Sequence, residues 1–177
     1  MNNINLKKLE PKISTIAEIK LIASKSDMSF AEDKTGQLWR DFSSAIKNIR
    51  NKKNDFKYSV QIFPNTNFFK NFDPTTTFQK YAAVEADISE NLPENLEVLT
   101  IPAGLYAIFT YIGKPSEAEK TFYYIYYQWL KESGFALDER PHFAIMSDKY
   151  IGEHPDSEEE LFIPIKDIKT LQVSKRD

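Results

Sequence analysis

One succession of hydrophobic patterns occurs twice along this chain, and it restricts the fold more than any other feature. Residues 13–23, with Ile13, Ile16, Ile19, Leu21 and Ile22, read as a strand with imperfect alternation. From Thr35, a candidate N-cap, Leu38, Phe42, Ala45, Ile46 and Ile49 fall at helical spacing with Trp39 beside them, which predicts a helix to about Asn51. Phe56 to Phe63 alternates at period two, and Phe78 to Ile88 gives a further strand. Ser24 to Lys34, Pro64 to Pro74 and Ser89 to Asn95 read as loops and turns. The order then repeats. Glu97 to Ile112 is strand-like, with a bulge or kink at Pro102-Ala103-Gly104. Ser116 with Glu119 forms a capping-box pattern, and the helix it opens closes at Gly134. Phe143 to Met146 and Leu161 to Lys166 are short strands around an exposed acidic loop, Asp148 to Glu158. Residues 1–10 and the tail from Asp167 are polar.

Each half spans roughly eighty residues, too few for an ordinary domain. The economical arrangement is one α+β domain over residues 1–177. In it a duplicated βαββ unit shares one antiparallel sheet about a pseudo-twofold axis, with both helices on one face. The first repeat covers about 11–95, the second about 96–167, and 168–177 is a tail. The other face, or the groove along the axis, is left to become a site.

Charge and composition exclude several functions. There are no cysteines, hence no disulfide, thiolate metal site or cysteine nucleophile. The net charge is −3 and the cations are spread, so no basic face for direct nucleic-acid binding is expected. The cations between Lys47 and Lys57 suit the negative end of a helix. No apolar leader or membrane-length run is present, and a cytoplasmic protein with no membrane contact is expected. His142 and His154 have no metal-ligand spacing, and phosphate loops, dinucleotide fingerprints and nucleophile elbows are missing. The reading therefore assigns no metal and no cofactor.

The chain is rich in aromatics: 13 Phe, 9 Tyr and 2 Trp. Tyr106 and Tyr111 fall on a strand; Tyr123, Tyr124, Tyr126, Tyr127 and Trp129 fall on the second helix. Buried tyrosines need partners for their hydroxyls, so such a set lines either a half-wet surface or a cavity. Tyr106, Tyr126 and Trp129 are expected to face an internal cavity, suited to cationic or flat apolar ligands. In the last strand, alternation puts Glu160, Phe162 and Pro164 on one face and Leu161, Ile163 and Ile165 on the other. With the second set under the helices, Glu160 points to the aromatic side, where a desolvated carboxylate has a raised pKa or a paired cation.

Further residues carry a resemblance. The run Ile101-Pro102-Ala103-Gly104-Leu105-Tyr106-Ala107-Ile108-Phe109, Gly113, Tyr126-Tyr127-Gln128-Trp129-Leu130 and Ser133-Gly134 resembles the GyrI-like family of small-molecule-binding domains. So do Arg140-Pro141-His142-Phe143, Glu160-Leu161-Phe162-Ile163-Pro164-Ile165, Leu38-Trp39-Arg40-Asp41-Phe42 and Tyr81 to Glu85. The resemblance spans about residues 11–167. It implies a concave sheet with two helices and a pocket for cationic or amphipathic organic molecules. Glu160 would lie at the pocket floor, with Tyr106 and Trp129 lining it. Many relatives are effector-binding halves of AraC- or MerR-type bacterial regulators; others stand alone, including a gyrase inhibitor and hydrolases acting through a pocket glutamate and a tyrosine. The chain departs from the family where Ala144, Ile145 and Met146 replace the usual glutamate and tyrosine, which makes the pocket more apolar.

The leading expectation is therefore a stand-alone ligand sensor or sequestering protein, with Glu160, Phe162, Tyr106, Tyr111, Tyr126, Trp129 and Trp39 around the ligand. One alternative is a hydrolase of electrophilic small molecules using Glu160 and Tyr106. The other is an inhibitor contacting gyrase through the acidic segment Asp148 to Glu160, and a separate regulator is the other candidate protein partner.

Overall fold

The computed structural model describes residues 9–88 and 92–169; the expectations for the extreme ends and for 89–91 lie outside them. The described elements are β1 (Lys12–Ile16), β2 (Ile19–Met28), α1 (Thr35–Ala45), β3 (Lys57–Ile62), β4 (Phe78–Glu85), β5 (Glu97–Ile101), β6 (Gly104–Ile112), α2 (119–132), β7 (Phe135–Leu137), β8 (His142–Met146) and β9 (Glu158–Asp167). The strands run β1-β6-β9-β8-β3-β4-β2-β5, all antiparallel, with β7 beside the end of β9. Exchanging β1 with β5, β2 with β6, β3 with β8 and β4 with β9 returns the same order. The expected duplication is present, and the halves meet where β3 pairs with β8.

The connections force the sheet to curl. β1 and β2 stand near opposite ends of the path, yet only Ala17 and Glu18 join them; only Pro102 and Ala103 join β5 to β6. The two ladders that result are in register: Ile16 stands opposite Gly104 and Ile19 opposite Ile101. The ends of the sheet are thus tied together, and the face turned from the helices lies inside the curl. Leu21, Tyr58, Val60, Tyr81, Ile101, Tyr106, Phe143 and Phe162 fill that inner face and are buried although no helix covers them. On the outer face α1 lays Leu38 and Phe42 over β2 and β4, against Ile22, Ala82 and Val84. In the second half, Ala118 and Ile125 pack with Phe109, Leu161 and Ile163.

Both helices depart from the patterns read in the sequence. α1 ends at Ala45 and gives way to a short 3-10 turn at Ile46–Asn48. The free N–H of Thr35 is accepted by Asp33 Oδ1 at 2.8 Å, so Asp33, not the Thr35 hydroxyl, satisfies the first turn. The Ser116 hydroxyl turns away from the helix to Glu153 Oε2 at 2.7 Å, and no capping box forms. A π-helical segment, Tyr124–Trp129, lies inside α2, and such segments often mark functional sites. Gly134, with φ +75°, ends the helix as expected. The single strand expected over 13–23 is two, and β2 continues through residues read as loop to Met28. β7 had no alternating run long enough to reveal it.

Gly104 opens β6 with φ +156°, and a side chain there would collide with the Arg140 guanidinium. That guanidinium is fixed: its Nε donates to Asp138 at 2.7 Å and its Nη2 to the carbonyls of Leu105 and Ile165. Gly104→Ala is expected to lower unfolding stability by about 2 kcal/mol, because the held Arg140 guanidinium must be displaced. Unchanged urea denaturation would show that Arg140 moves freely.

Candidate functional site: a groove between the helices

Neither helix covers the seam between the halves. There the outer face presents two small residues opposite each other, Ser59 on β3 and Ala144 on β8, beside Ala82 of β4, which α1 covers. The result is a trough along the pseudo-twofold axis with a helix on either side. The β3–β4 connection lays three phenylalanines into it. Phe63 packs on Phe68 and Phe69 with ring centroids 4.5 and 4.8 Å apart. Phe69 also stacks on Tyr126 of α2, at 3.6 Å and 10° between planes. Its carbonyl accepts a 2.7 Å hydrogen bond from the Tyr127 hydroxyl.

Two opposite charges lean into this groove. Glu159 shares the outer side of β9 with Leu161, and Lys80 shares the outer side of β4 with Ala82. Burial raises the carboxyl of Glu159, and the charge of Lys80 offsets this only in part. Burial likewise lowers the ammonium of Lys80, against the carboxylates of Asp33 and Glu159. Their strands are separated by β8 and β3, and the register sets Lys80 in the row of Gln61 and His142, whereas Glu159 stands opposite Tyr111. No direct ion pair joins them among the described residues; the Lys80 ammonium donates to the Thr35 hydroxyl at 2.9 Å. Tyr111 and Tyr150 also feel the charge of Glu159.

Across Gln61 from Lys80, His142, only 6% exposed, is hydrogen-bonded through Nδ1 to the Tyr126 hydroxyl at 2.9 Å. Burial pushes its pKa down to about 3, so the ring is neutral at physiological pH. Burial also raises the phenol of Tyr126 far above its ordinary value.

The residues expected to share one cavity are divided between the two faces, and this corrects the single-pocket reading. Tyr106, Phe162 and Glu160 lie on the inner side. Tyr106 and Phe162 are packed with Phe143, whose ring stacks on Phe162 at 4.3 Å. Tyr111, Tyr126 and Trp129 lie on the outer side, beneath or on α2. Trp129 is closed off against Phe109 at 5.0 Å, and the Tyr111 hydroxyl donates to the Lys114 carbonyl at 2.6 Å. Trp39 packs on Phe42 of its own helix. Of the expected set, Tyr126 stacks on Phe69 and Tyr111 stands opposite Glu159 in the ladder. Glu160 does sit on the side opposite the helices, but it is exposed, between Thr110 and Ile145 at the end of the inner face. The desolvated carboxylate of this strand is its neighbour Glu159. One signal for the missed residues was available: Lys80 and Glu159 occupy positions of the same parity as the apolar residues that pack under the helices.

Comparison with known proteins bears on the whole domain. The pattern of the family described as the GyrI-like small molecule binding domain matches residues 9–166. The chain is 28% identical over 134 residues to the transcriptional regulator BrlR of Pseudomonas aeruginosa, covering 75% of this chain and 47% of that protein. It thus spans about half the length of this relative. Among solved structures, SAV2435 bound to tetraphenylphosphonium superposes with a TM-score of 0.70 at 16% identity, over 92% of this chain and 97% of that one. The EcmrR C-terminal domain gives 0.68 at 13% identity, over 91% and 99%. A hydrolase from Listeria innocua gives 0.55 at 13%, over 90% and 93%. At these identities the structural likenesses establish the fold.

Proposed function

Because this chain belongs to the GyrI-like small-molecule-binding family, we propose that it binds an amphipathic aromatic molecule with a positively charged group in the groove between α1 and α2. The observation that carries the proposal is Glu159. It is a carboxyl largely held from water, opposite Tyr111 in the ladder and close enough to Tyr150 for its charge to be felt there, with the aromatic walls of Phe63, Phe69 and Tyr126 farther along the same face. A bound cation restores to that carboxylate the electrostatic partner that burial removes, while ligand rings replace water against the phenylalanines. Lys80 gives the groove an opposite pole and favours a ligand that also bears a hydrogen-bond acceptor. A structural neighbour carries tetraphenylphosphonium, an aromatic cation, which makes that ion the natural first probe.

The raised pKa of Glu159 fixes a pH dependence. Below that pKa the carboxyl is neutral and offers a cation little; above it the carboxylate is ionised. Affinity for tetraphenylphosphonium should therefore rise with pH, by up to about tenfold per unit, and level off once Glu159 is ionised. Stability runs the other way. A carboxyl whose folded pKa is raised contributes most below the ordinary carboxylate range, and that contribution is lost as pH rises through the folded value. Calorimetric titration across the carboxylate range tests the reading; an affinity independent of pH would remove Glu159 from the binding step.

A further inference from the structure

Glu159 is largely held from water, so whatever shields it governs how a ligand arrives. Two segments meet beside it. One is the turn from β6 to α2, which follows Tyr111, the residue opposite Glu159 in the ladder. The other is the loop of residues 147–157 between β8 and β9, which carries Tyr150. Burial raises the phenol of the half-buried Tyr150, and the charges of Glu159 and Glu153 raise it further. Burial raises the phenol of Tyr111 too, and Glu117, Glu159 and Glu153 add to the rise. Glu153 belongs to the tip of the loop, so the tip folds back beside the start of β9 and the Glu159 end of the groove.

The fastenings of this loop are uneven. At its base the Glu158 N–H donates to the Lys149 carbonyl at 3.1 Å, and the Lys149 ammonium lies 2.8 Å from Glu158 Oε1. Across the gap the Gly113 N–H donates to the Ser157 carbonyl at 2.9 Å. The tip, residues 151–156, bonds mostly within the loop. Its Ile151 N–H donates to the Ser157 hydroxyl, its His154 N–H to the Gly152 carbonyl and its Asp156 N–H to His154 Nδ1. Among the described residues, one group of the tip bonds outside the loop, the Glu153 carboxylate. It accepts from the Ser116 hydroxyl at 2.7 Å and from the Ser116 N–H at 3.1 Å. Both residues are exposed, and Ile151, the large apolar side chain of the tip, is 54% exposed. Little apolar burial therefore holds the tip down, and segments of this kind open locally at low cost.

We infer that residues 147–157 are a lid over the Glu159 end of the groove, with the contact between Glu153 and Ser116 as its latch. What passes beneath the lid rests on the cation reading of Glu159; the latch itself does not. Opening releases the tip and lets a cation reach Glu159. Closing returns Tyr150 to the bound charge and shuts water out. The rate of ligand entry is then the rate at which the latch opens.

Glu153→Ala releases the latch and leaves Glu159 and the aromatic walls in place. The first readout needs no ligand. Hydrogen exchange of the Gly113 amide reports the lid, because its acceptor, the Ser157 carbonyl, is untouched by the substitution. That exchange should quicken by about tenfold, the effect of losing the hydrogen bonds to one carboxylate, while the ladder of β2 and β4 keeps its protection. The second readout is stopped-flow fluorescence with tetraphenylphosphonium. Association and dissociation should both quicken by about fivefold, with the affinity within about twofold of the parent. Loss of a carboxylate by charge alone would slow an approaching cation, so faster association isolates the latch. Ser116→Ala removes the hydroxyl donor and no charge, and should move both rates in the same direction by less. Unchanged Gly113 exchange in Glu153→Ala would overturn the lid whether or not tetraphenylphosphonium binds. Faster exchange with association no faster would overturn its role as a gate. Faster exchange in a protein that binds no tetraphenylphosphonium would support the lid and count against the cation reading.

Discussion

Tyr106→Ala is expected to lower the unfolding free energy by about 4 kcal/mol, within the range for truncating a large buried aromatic. The side chain is 0% exposed at the centre of the inner face, edge-on to Phe143 at 5.4 Å and to Phe162 at 6.2 Å. Its hydroxyl donates to the Pro141 carbonyl at 3.1 Å, and the Arg140 guanidinium lies 4.5 Å over its ring. Removing the ring opens a cavity between β6, β8 and β9 that the curled sheet cannot collapse to fill, because its ends are tied by two-residue links. For a protein of this size the loss corresponds to a melting point lower by roughly 10 °C. Tyr106→Phe keeps the ring and loses one hydrogen bond, so about 1 kcal/mol is expected. Thermal unfolding of the two variants checks the comparison. A Tyr106→Ala protein melting within a degree or two of the parent would mean that the inner face is an adaptable ligand surface and not packed core.

The second large effect is on binding. Glu159→Gln should weaken tetraphenylphosphonium about thirtyfold at neutral pH, equivalent to about 2 kcal/mol, the low end for losing one partner of a desolvated charge pair. Glu160→Gln should change the affinity by less than about twofold, since an exposed carboxylate contributes little to a screened interaction. The pair of variants is informative because the two residues are adjacent in β9 and point to opposite faces. Glu159→Gln should also stabilise the free protein at neutral pH, because a buried charge is removed while a polar side chain of similar shape stays. Weak binding accompanied by a lower melting point would instead indicate a damaged fold.

Much of the fold was legible because the patterns that specify it are local. The strand-helix-strand-strand order, repeated, is set by hydrophobic periodicity, and the observed sheet has the pseudo-symmetric order that such a repeat allows. The outer-side assignment of Leu161, Ile163 and Ile165 also follows from alternation alone. The curl does not. It depends on the continuous register of β1-β2 against β5-β6, which joins residues some ninety positions apart and has no local signature. Missing the curl had a direct consequence for the site. An aromatic face without a helix reads as an open pocket when the sheet is imagined flat, whereas closure makes it packed interior. Tyr106 and Phe162, expected around a ligand, are packed inside the curl of the sheet. The charged groove residues were passed over for a related reason. Lys80 was not singled out in the apolar strand Phe78–Glu85, and Glu159 was hidden in a run of three glutamates that resembles a solvated cap. Only the tertiary placement of α1 and α2 on either side of β3 and β8 separates these two from ordinary surface charges.

The most direct test of where ligands bind is a crystal structure of the protein with tetraphenylphosphonium. The groove assignment predicts phenyl rings against Phe63, Phe69 or Tyr126, above Ser59 and Ala144, with the phosphonium nearer to Glu159 than to Glu160. Rings inserted among Tyr106, Phe143 and Phe162, with Glu160 the nearest carboxylate, would contradict it.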